Sequence, residues 1–167
     1  PTIILGEEAE HVPMGGRYGQ GELIVVEADE AYGSFLEIKP RIAVVTNIDD
    51  DHLDYYKNSD SINEAFATFL KGVDDHDLAV LFADDRRVMQ VAKGRRCRKL
   101  LFGFDNGDLK ARNPVIRSQG YEFLAVLNET PLGSVELLVP GRHNICNALA
   151  SIAVGLELGI PFHKIKS

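Results

Sequence analysis

The chain has no tryptophan, only two cysteines and two methionines, and no excess of positive charge. Each shortage removes a class of protein. Cys97 and Cys146 lie far apart and match no metal-ligand or redox spacing, so bystander thiols in a reducing compartment are expected. Lys and Arg number 18 against 25 Asp and Glu, a formal charge of −7. That balance argues against nucleic acid as a partner, because phosphate binding normally needs a basic surface. No apolar run approaches the roughly 18 residues that span a bilayer, and no basic-then-apolar leader opens the chain. A cytoplasmic protein that does not engage membranes is expected. Also missing is any G-x-x-x-x-G-K-S/T stretch, the loop that cradles phosphates. Met14-Gly15-Gly16-Arg17 has the glycines but neither the lysine nor the hydroxyl.

What is present reads as an ordinary globular domain: 167 residues, 45% hydrophobic and 26% charged, enough to bury a core. The chain opens at Pro1 without methionine and runs almost at once into Thr2-Ile3-Ile4-Leu5. It stops at Ile165-Lys166-Ser167, where a new segment begins to form. Both ends are therefore expected to be cut from a longer polypeptide.

Short apolar runs alternate with helical patterns from residue 22 to about 104. Leu23 to Val26, Ile42 to Thr46, Leu78 to Phe82 and Lys99 to Phe104 read as strands, Leu23 to Val26 as one covered on both faces. Between them, Ala31 to Lys39 reads as a helical turn stopped by Pro40. A helix capped by Ser59 or Asp60 presents Ile62, Ala65, Phe66, Phe69 and Leu70 on one face and ends at Gly72. Another, around Arg86 to Ala92, follows Asp84-Asp85. This is the pattern of a parallel α/β sheet flanked by helices. The character changes after residue 110. Ala111 to Ser118, Tyr121 to Asn128 and Gly133 to Val139 are strand-like, with turn signals at Gln119-Gly120 and Pro131-Leu132-Gly133. They predict a small antiparallel three-stranded sheet, a subdomain over 111–140. Asn144 to Leu158 then reads as one long helix closed by Gly159 and Pro161.

Three constellations carry chemistry. Glu27-Ala28-Asp29-Glu30 follows the first of these strands, and Asp49-Asp50-Asp51-His52-Leu53-Asp54 follows the second. In an open parallel sheet ligands sit beyond the strand carboxyl ends, and carboxylates gathered there repel one another unless a cation such as Mg2+ joins them. Glu27 is the foremost metal candidate, with a solvated strand end as the plainer reading; Asp29 and Glu30 serve equally as turn caps. His52 fits either a ligand or a packed imidazole. The third constellation is Pro140-Gly141-Arg142-His143-Asn144-Ile145-Cys146-Asn147. Asn144 and Asn147 share a face of the helix start, where their amides suit either the edge of an adenine or simple capping. The basic residues around Arg95-Arg96-Cys97-Arg98-Lys99 read as a solvated helix end or, alternatively, as a phosphate patch.

Taken together, Glu27-Ala28-Asp29-Glu30, Thr46-Asn47-Ile48 leading to Asp51-His52-Leu53-Asp54, and Gly141-Arg142-His143-Asn144 with Asn147 resemble the Mur ligase family over nearly the whole chain. The resemblance implies a fragment of the central, ATP-binding domain of a three-domain enzyme, with the N- and C-terminal domains of the same polypeptide absent. It implies ATP and Mg2+ as cofactors, with Glu27 and His52 serving the metal ions and the chemistry, and His143, Asn144 and Asn147 at the nucleotide. Some relatives carry a modified lysine about fifteen residues past His52. Phe66-Ala67-Thr68 has none, which favours the branch that joins L-alanine to UDP-N-acetylmuramate through an acyl phosphate. The isolated chain, without a phosphate loop, is expected to be inactive. A sister ligase that recycles peptide onto the same nucleotide sugar would share these motifs. A non-catalytic metal- or nucleotide-binding domain is the rival of another class, weakened because Leu78 to Phe82 runs into Ala83-Asp84 with no receiver-type lysine. A structural interaction domain would leave the acidic clusters unexplained.

Overall fold

The computed structural model describes residues 1–9 and 12–166. Glu10, His11 and Ser167 lie outside the described residues, so the loop expected before residue 20 is described only on either side of the first two. The chain forms two compact units, residues 1–38 and 39–167.

The first unit is built on a three-stranded sheet in the order β2-β1-β3, from β1 (Thr2–Ile4), β2 (Gly16–Arg17) and β3 (Ile24–Val26). β1 pairs antiparallel with β2 and parallel with β3. The strand expected at 23–26 therefore exists, but its expected cover does not: Ile24, Val25 and Val26 are all exposed. Apolar sequence favours burial of a strand face but cannot supply the layer that buries it. The helical turn expected after it is a 3-10 segment, Ala31–Glu37, in which Tyr32 and Gly33 take positive φ.

The second unit holds a six-stranded sheet in the order β4-β5-β6-β7-β8-β9. Its strands are β4 (Ile42–Val45), β5 (Leu78–Phe82), β6 (Arg98–Gly103), β7 (Leu109–Arg117), β8 (Gly120–Leu127) and β9 (Thr130–Leu137). β4 to β7 pair parallel, and β7-β8-β9 pair antiparallel. The meander expected near residue 110 thus forms and extends the parallel half through the β6–β7 pairing. Its second turn sits elsewhere than expected. Leu127 pairs with Thr130, so Asn128-Glu129 make the two-residue turn, both at positive φ. Pro131 and Gly133 lie inside β9, with Leu132 as an extra residue where the register shifts. Proline is tolerated there because β9 is an edge strand.

Helices cover both faces of the parallel half. α1 (Leu53–Tyr56) and α2 (Ser59–Lys71) lie between β4 and β5, α3 (Arg86–Val91) between β5 and β6, and α4 (His143–Glu157) and α5 (Phe162–Ile165) follow β9. Asn58 rather than Ser59 or Asp60 caps α2, its side chain accepting from the Ser61 N–H at 2.9 Å. Asp85 caps α3 through the N–H groups of Arg87 and Val88. Leu78 and Val80 join Phe102, Leu109, Phe123, Val135, Ile145, Leu149 and Ile152 in the core beneath α4. Ala79 and Leu81 are equally buried and, by strand alternation, face the other side. No helix among the described residues is long and apolar enough to cross a membrane.

Candidate functional site

In the second unit, β4 and β5 end at Val45 and Phe82, and α4 begins at His143. Between these ends lies a cleft of about 400 Å3 lined by Thr46, Asn47, Asp49, Phe82, His143, Cys146 and Asn147. Its position follows from the topology: parallel strands all deliver their carboxyl ends, and the residues after them, to the same edge. The start of the 15-residue α4 adds the positive end of its dipole. Asn47 is oriented at both ends of its amide. Its Oδ1 accepts from the Thr46 hydroxyl at 3.0 Å, and its Nδ2 donates to Asp49 at 2.8 Å.

Of the residues singled out in the sequence, His143 and Asn147 line this cleft directly. Asn144 stands one step behind. Its Nδ2 donates to the Pro140 carbonyl at 2.7 Å, and its Oδ1 accepts from Asn147 Nδ2 at 3.2 Å. The two asparagines therefore share a face, with Asn144 orienting Asn147. His143 lies over Gly141, whose φ of +99° and lack of a side chain make room for it; a Cβ there would come within 2.5 Å of the imidazole Cε1.

Glu27 follows β3 in the first unit. Its amide extends the ladder by donating to the Ile4 carbonyl at 2.8 Å, and its Oε2 accepts from the Gly6 N–H at 2.7 Å. The carboxylate is thus steadied on a backbone donor while remaining exposed. Asp29 accepts from the Ala31 N–H at 2.8 Å, the turn-capping role open to it in the sequence. His52, in the second unit, is exposed and left-handed at φ 55°, and its carbonyl accepts from Tyr55 and Tyr56 to start α1. Among the neighbouring acids, Asp50 accepts from Ser59 Oγ at 2.8 Å and Arg87 Nη1 at 2.7 Å, and these bonds hold its carboxyl below the ordinary range.

Three contributors were not singled out as site residues. Asn47 and Phe82 could have been suspected, since each stands where a parallel strand ends. Asp84 gave a misleading signal, because Asp84-Asp85 looks like a helix cap. Instead Asp84 accepts from the N–H groups of Phe104 (2.6 Å), Asp105 (3.2 Å) and Asn106 (2.9 Å), and from Asn106 Nδ2 (2.9 Å). Burial works to raise its pKa, but those four bonds outweigh it and the net direction is down. Cys146 moves the other way, to about 11, through burial first and the Asp84 charge second. It is therefore a neutral thiol in the cleft wall. In the basic segment, Arg98 forms a two-pronged pair with Glu157, and Arg87 is held by Asp50.

The fold and the cleft define an α/β protein with an open cleft at the carboxyl edge of its parallel strands, the place where such sheets receive ligands. The chain belongs to the Mur ligase family: residues 17–155 match the Mur ligase middle domain. Similar curated proteins include the UDP-N-acetylmuramate–L-alanine ligases of Aquifex aeolicus, 39% identical over 99% of this chain, and Desulfatibacillum aliphaticivorans, 41% identical over all of it. The chain spans 37% of the length of each. Among solved structures, the Thermotoga maritima UDP-N-acetylmuramate-alanine ligase superposes with a TM-score of 0.80 at 29% identity, over 99% of this chain and 37% of that one. The Neisseria meningitides ligase for UDP-N-acetylmuramate and L-alanyl-gamma-D-glutamyl-meso-diaminopimelate gives 0.82 at 26%, over 99% of this chain and 55% of that one.

Proposed function

We propose that this chain is the central, ATP-binding part of a ligase that joins L-alanine to UDP-N-acetylmuramate. The observation that carries the reading is the cleft between the ends of β4 and β5 and the first turn of α4, with His143 and Asn147 in its wall. The names of the relatives at 39–41% identity supply the substrates. In the proposed reaction a muramoyl carboxylate oxygen attacks the γ-phosphorus of ATP and ADP leaves. The L-alanine amine then attacks the acyl carbon, loses a proton and expels phosphate.

The cleft takes the nucleotide. The Asn147 amide offers a donor and an acceptor to a base edge, and Asn144 holds that amide in one orientation. Phe82 supplies an apolar wall and α4 a positive helix end. Glu27 and His52 are assigned to Mg2+, as the resemblance implies. The Glu27 carboxylate, steadied by Gly6, is the oxygen donor a hard cation prefers, whereas the exposed His52 imidazole is a softer donor whose assignment rests on the resemblance alone. Bound Mg2+ supplies charge neutralisation between an anionic nucleophile and an anionic phosphate. Catalysis by the protein is then mainly positioning. Because ATP and nucleotide sugars are cytoplasmic metabolites, the reading also carries a cytoplasmic location. The 167-residue chain alone contains no G-x-x-x-x-G-K-S/T stretch and is inferred to be inactive, a fragment needing the flanking domains of the same polypeptide.

The test is ADP release by the full-length protein. It should require both UDP-N-acetylmuramate and L-alanine, and the isolated chain should release none. Glu27→Gln and His52→Asn should each lower kcat by about 10²–10³, the scale of removing one electrostatic contact to a reacting centre. Turnover with the tripeptide of the Neisseria enzyme, and none with L-alanine, would transfer the reading to the recycling ligase. Unchanged kcat in both variants would remove Glu27 and His52 from the chemistry.

A further inference from the structure

The long helix α4 starts without a capping side chain. Its N-cap, Arg142, makes no such bond, although the first turn of this helix presents His143, Cys146 and Asn147 to the cleft. Something else must fix where that turn begins. The backbone contributes two tight bonds, Asn144 N–H to the Gly141 carbonyl at 3.0 Å and Ile145 N–H to the Arg142 carbonyl at 3.1 Å. These bonds, and that of Asn144 Nδ2 to the Pro140 carbonyl at 2.7 Å, tie the turn only to the residues just before it and not to another element.

The Arg142 side chain does reach beyond the helix. Its guanidinium carbon lies 4.2 Å from the centre of the Phe104 ring, within the range of a cation–π pair. Phe104 is in turn held by its own backbone, because its N–H is one of the four donors collected by Asp84. Asp84 follows β5, whose last residue, Phe82, forms another part of the cleft wall. Gly103 makes the close approach possible, since a Cβ there would come within 2.6 Å of Asp84 Oδ2. A continuous set of contacts thus joins the end of β5 to the start of α4, outside the cleft itself.

We infer that Asp84, Phe104 and Arg142 are positioning residues: the Asp84-clamped loop carries the Phe104 ring, and the ring holds Arg142 so that α4 begins where His143 and Asn147 face the cleft. The placement of the turn is independent of what the cleft binds. Its use in holding a nucleotide rests on the function proposed above.

Cys146 and Cys97 provide the measurement, since both are free and buried. Cys146 belongs to the turn in question, and Cys97 precedes β6 and reports general loosening. Iodoacetamide labelling of the full-length protein, read at each cysteine by peptide mass, separates the two. Phe104→Leu keeps apolar bulk but removes the ring, and should speed labelling of Cys146 by about three- to thirtyfold, the range of a cation–π pair. Cys97 should not change, and Phe104→Tyr, which keeps the ring, should restore the slow rate. Arg142→Met, at an exposed position that folding tolerates, should also accelerate Cys146. The Arg142 charge favours the thiolate, so loss of charge alone would slow the reaction. Unchanged Cys146 labelling in Phe104→Leu, equal acceleration at Cys97, or slower labelling in Arg142→Met would each overturn the inference. Protection of wild-type Cys146 by ATP with Mg2+ is a separate arm; its absence would count against the nucleotide reading and leave the positioning set standing.

Discussion

Two wholly apolar strands have opposite fates in the two units. β3 reads Ile-Val-Val and leaves Ile24 64% and Val25 51% exposed, whereas β5 reads Leu-Ala-Val-Leu-Phe with Val80 and Leu81 at 0%. The difference lies in the layers and not in the strands. β5 has strands on both sides, α4 on one face and α3 packed against it, while β3 pairs only with β1 among the described residues. An apolar run therefore states a demand for burial, and the surrounding topology decides whether it is met.

The sharpest way to break this comparison is to remove equivalent apolar bulk from each unit. Leu149, fully buried in the core beneath α4, should cost about 2–5 kcal/mol as Leu149→Ala, through lost burial and the cavity left behind. Ile24→Ala in β3 should fall within about 0.5 kcal/mol, as surface substitutions usually do. Urea unfolding of both variants decides it. A large loss for Ile24→Ala would mean that β3 is covered in solution.

Gly141→Ala comes next, because it tests backbone and side chain at once. The residue would sit at φ +99° with its Cβ pressed on the His143 ring, and a non-glycine residue held in such a conformation costs about 1–3 kcal/mol. The KM for ATP should rise with the loss of stability as His143 is displaced. A rise in KM without any change in Tm would show that the ring moves and the backbone does not.

Much of the second unit was legible because its signals are local. The 3.6-residue pattern of α4, the Gly159 stop and the buried run of β5 each depend on neighbours in sequence. Asn144 and Asn147 were legible as a pair for the same reason, three residues apart on one helix face, whereas His143 entered only through the family resemblance. The remainder depends on partners distant in the chain. Asp84 looks like a cap until the loop at 104–106 arrives to claim it. The Arg142–Phe104 pair joins residues 38 positions apart, by subtraction of their numbers. Nor does a strand carry any mark of whether it will be covered, which is why β3 misled.

Acid should expose the contribution of Asp84. Its pKa in the folded protein lies below the unfolded value near 3.8. The stabilisation is then complete above that value and is lost as pH falls through the folded pKa. Asp84→Asn should cost about 1–2 kcal/mol at neutral pH, through lost charge-assisted bonds to backbone N–H groups. The variant should also lose less than wild type between about pH 4 and lower values. Parallel pH–Tm curves would show that the carboxylate is not what holds the loop.

The smallest effect concerns a hairpin turn whose residue type defies the rule. Asn128-Glu129 closes the β8–β9 hairpin with φ 47° and 63°, a turn that favours glycine at its second position. Left-handed backbone costs a non-glycine residue about 1–2 kcal/mol. Glu129 offsets part of this by accepting from Lys110 Nζ at 2.9 Å and lying 3.9 Å from Arg112. Exposed pairs of that kind contribute little, so the strain should win narrowly. Glu129→Gly is expected to stabilise the protein by about 0.5 kcal/mol, and Glu129→Gln, which keeps the strain and drops the charge, to destabilise it slightly. If Glu129→Gly is instead less stable than wild type, the ion pairs across β7 and not the turn geometry hold this end of the meander.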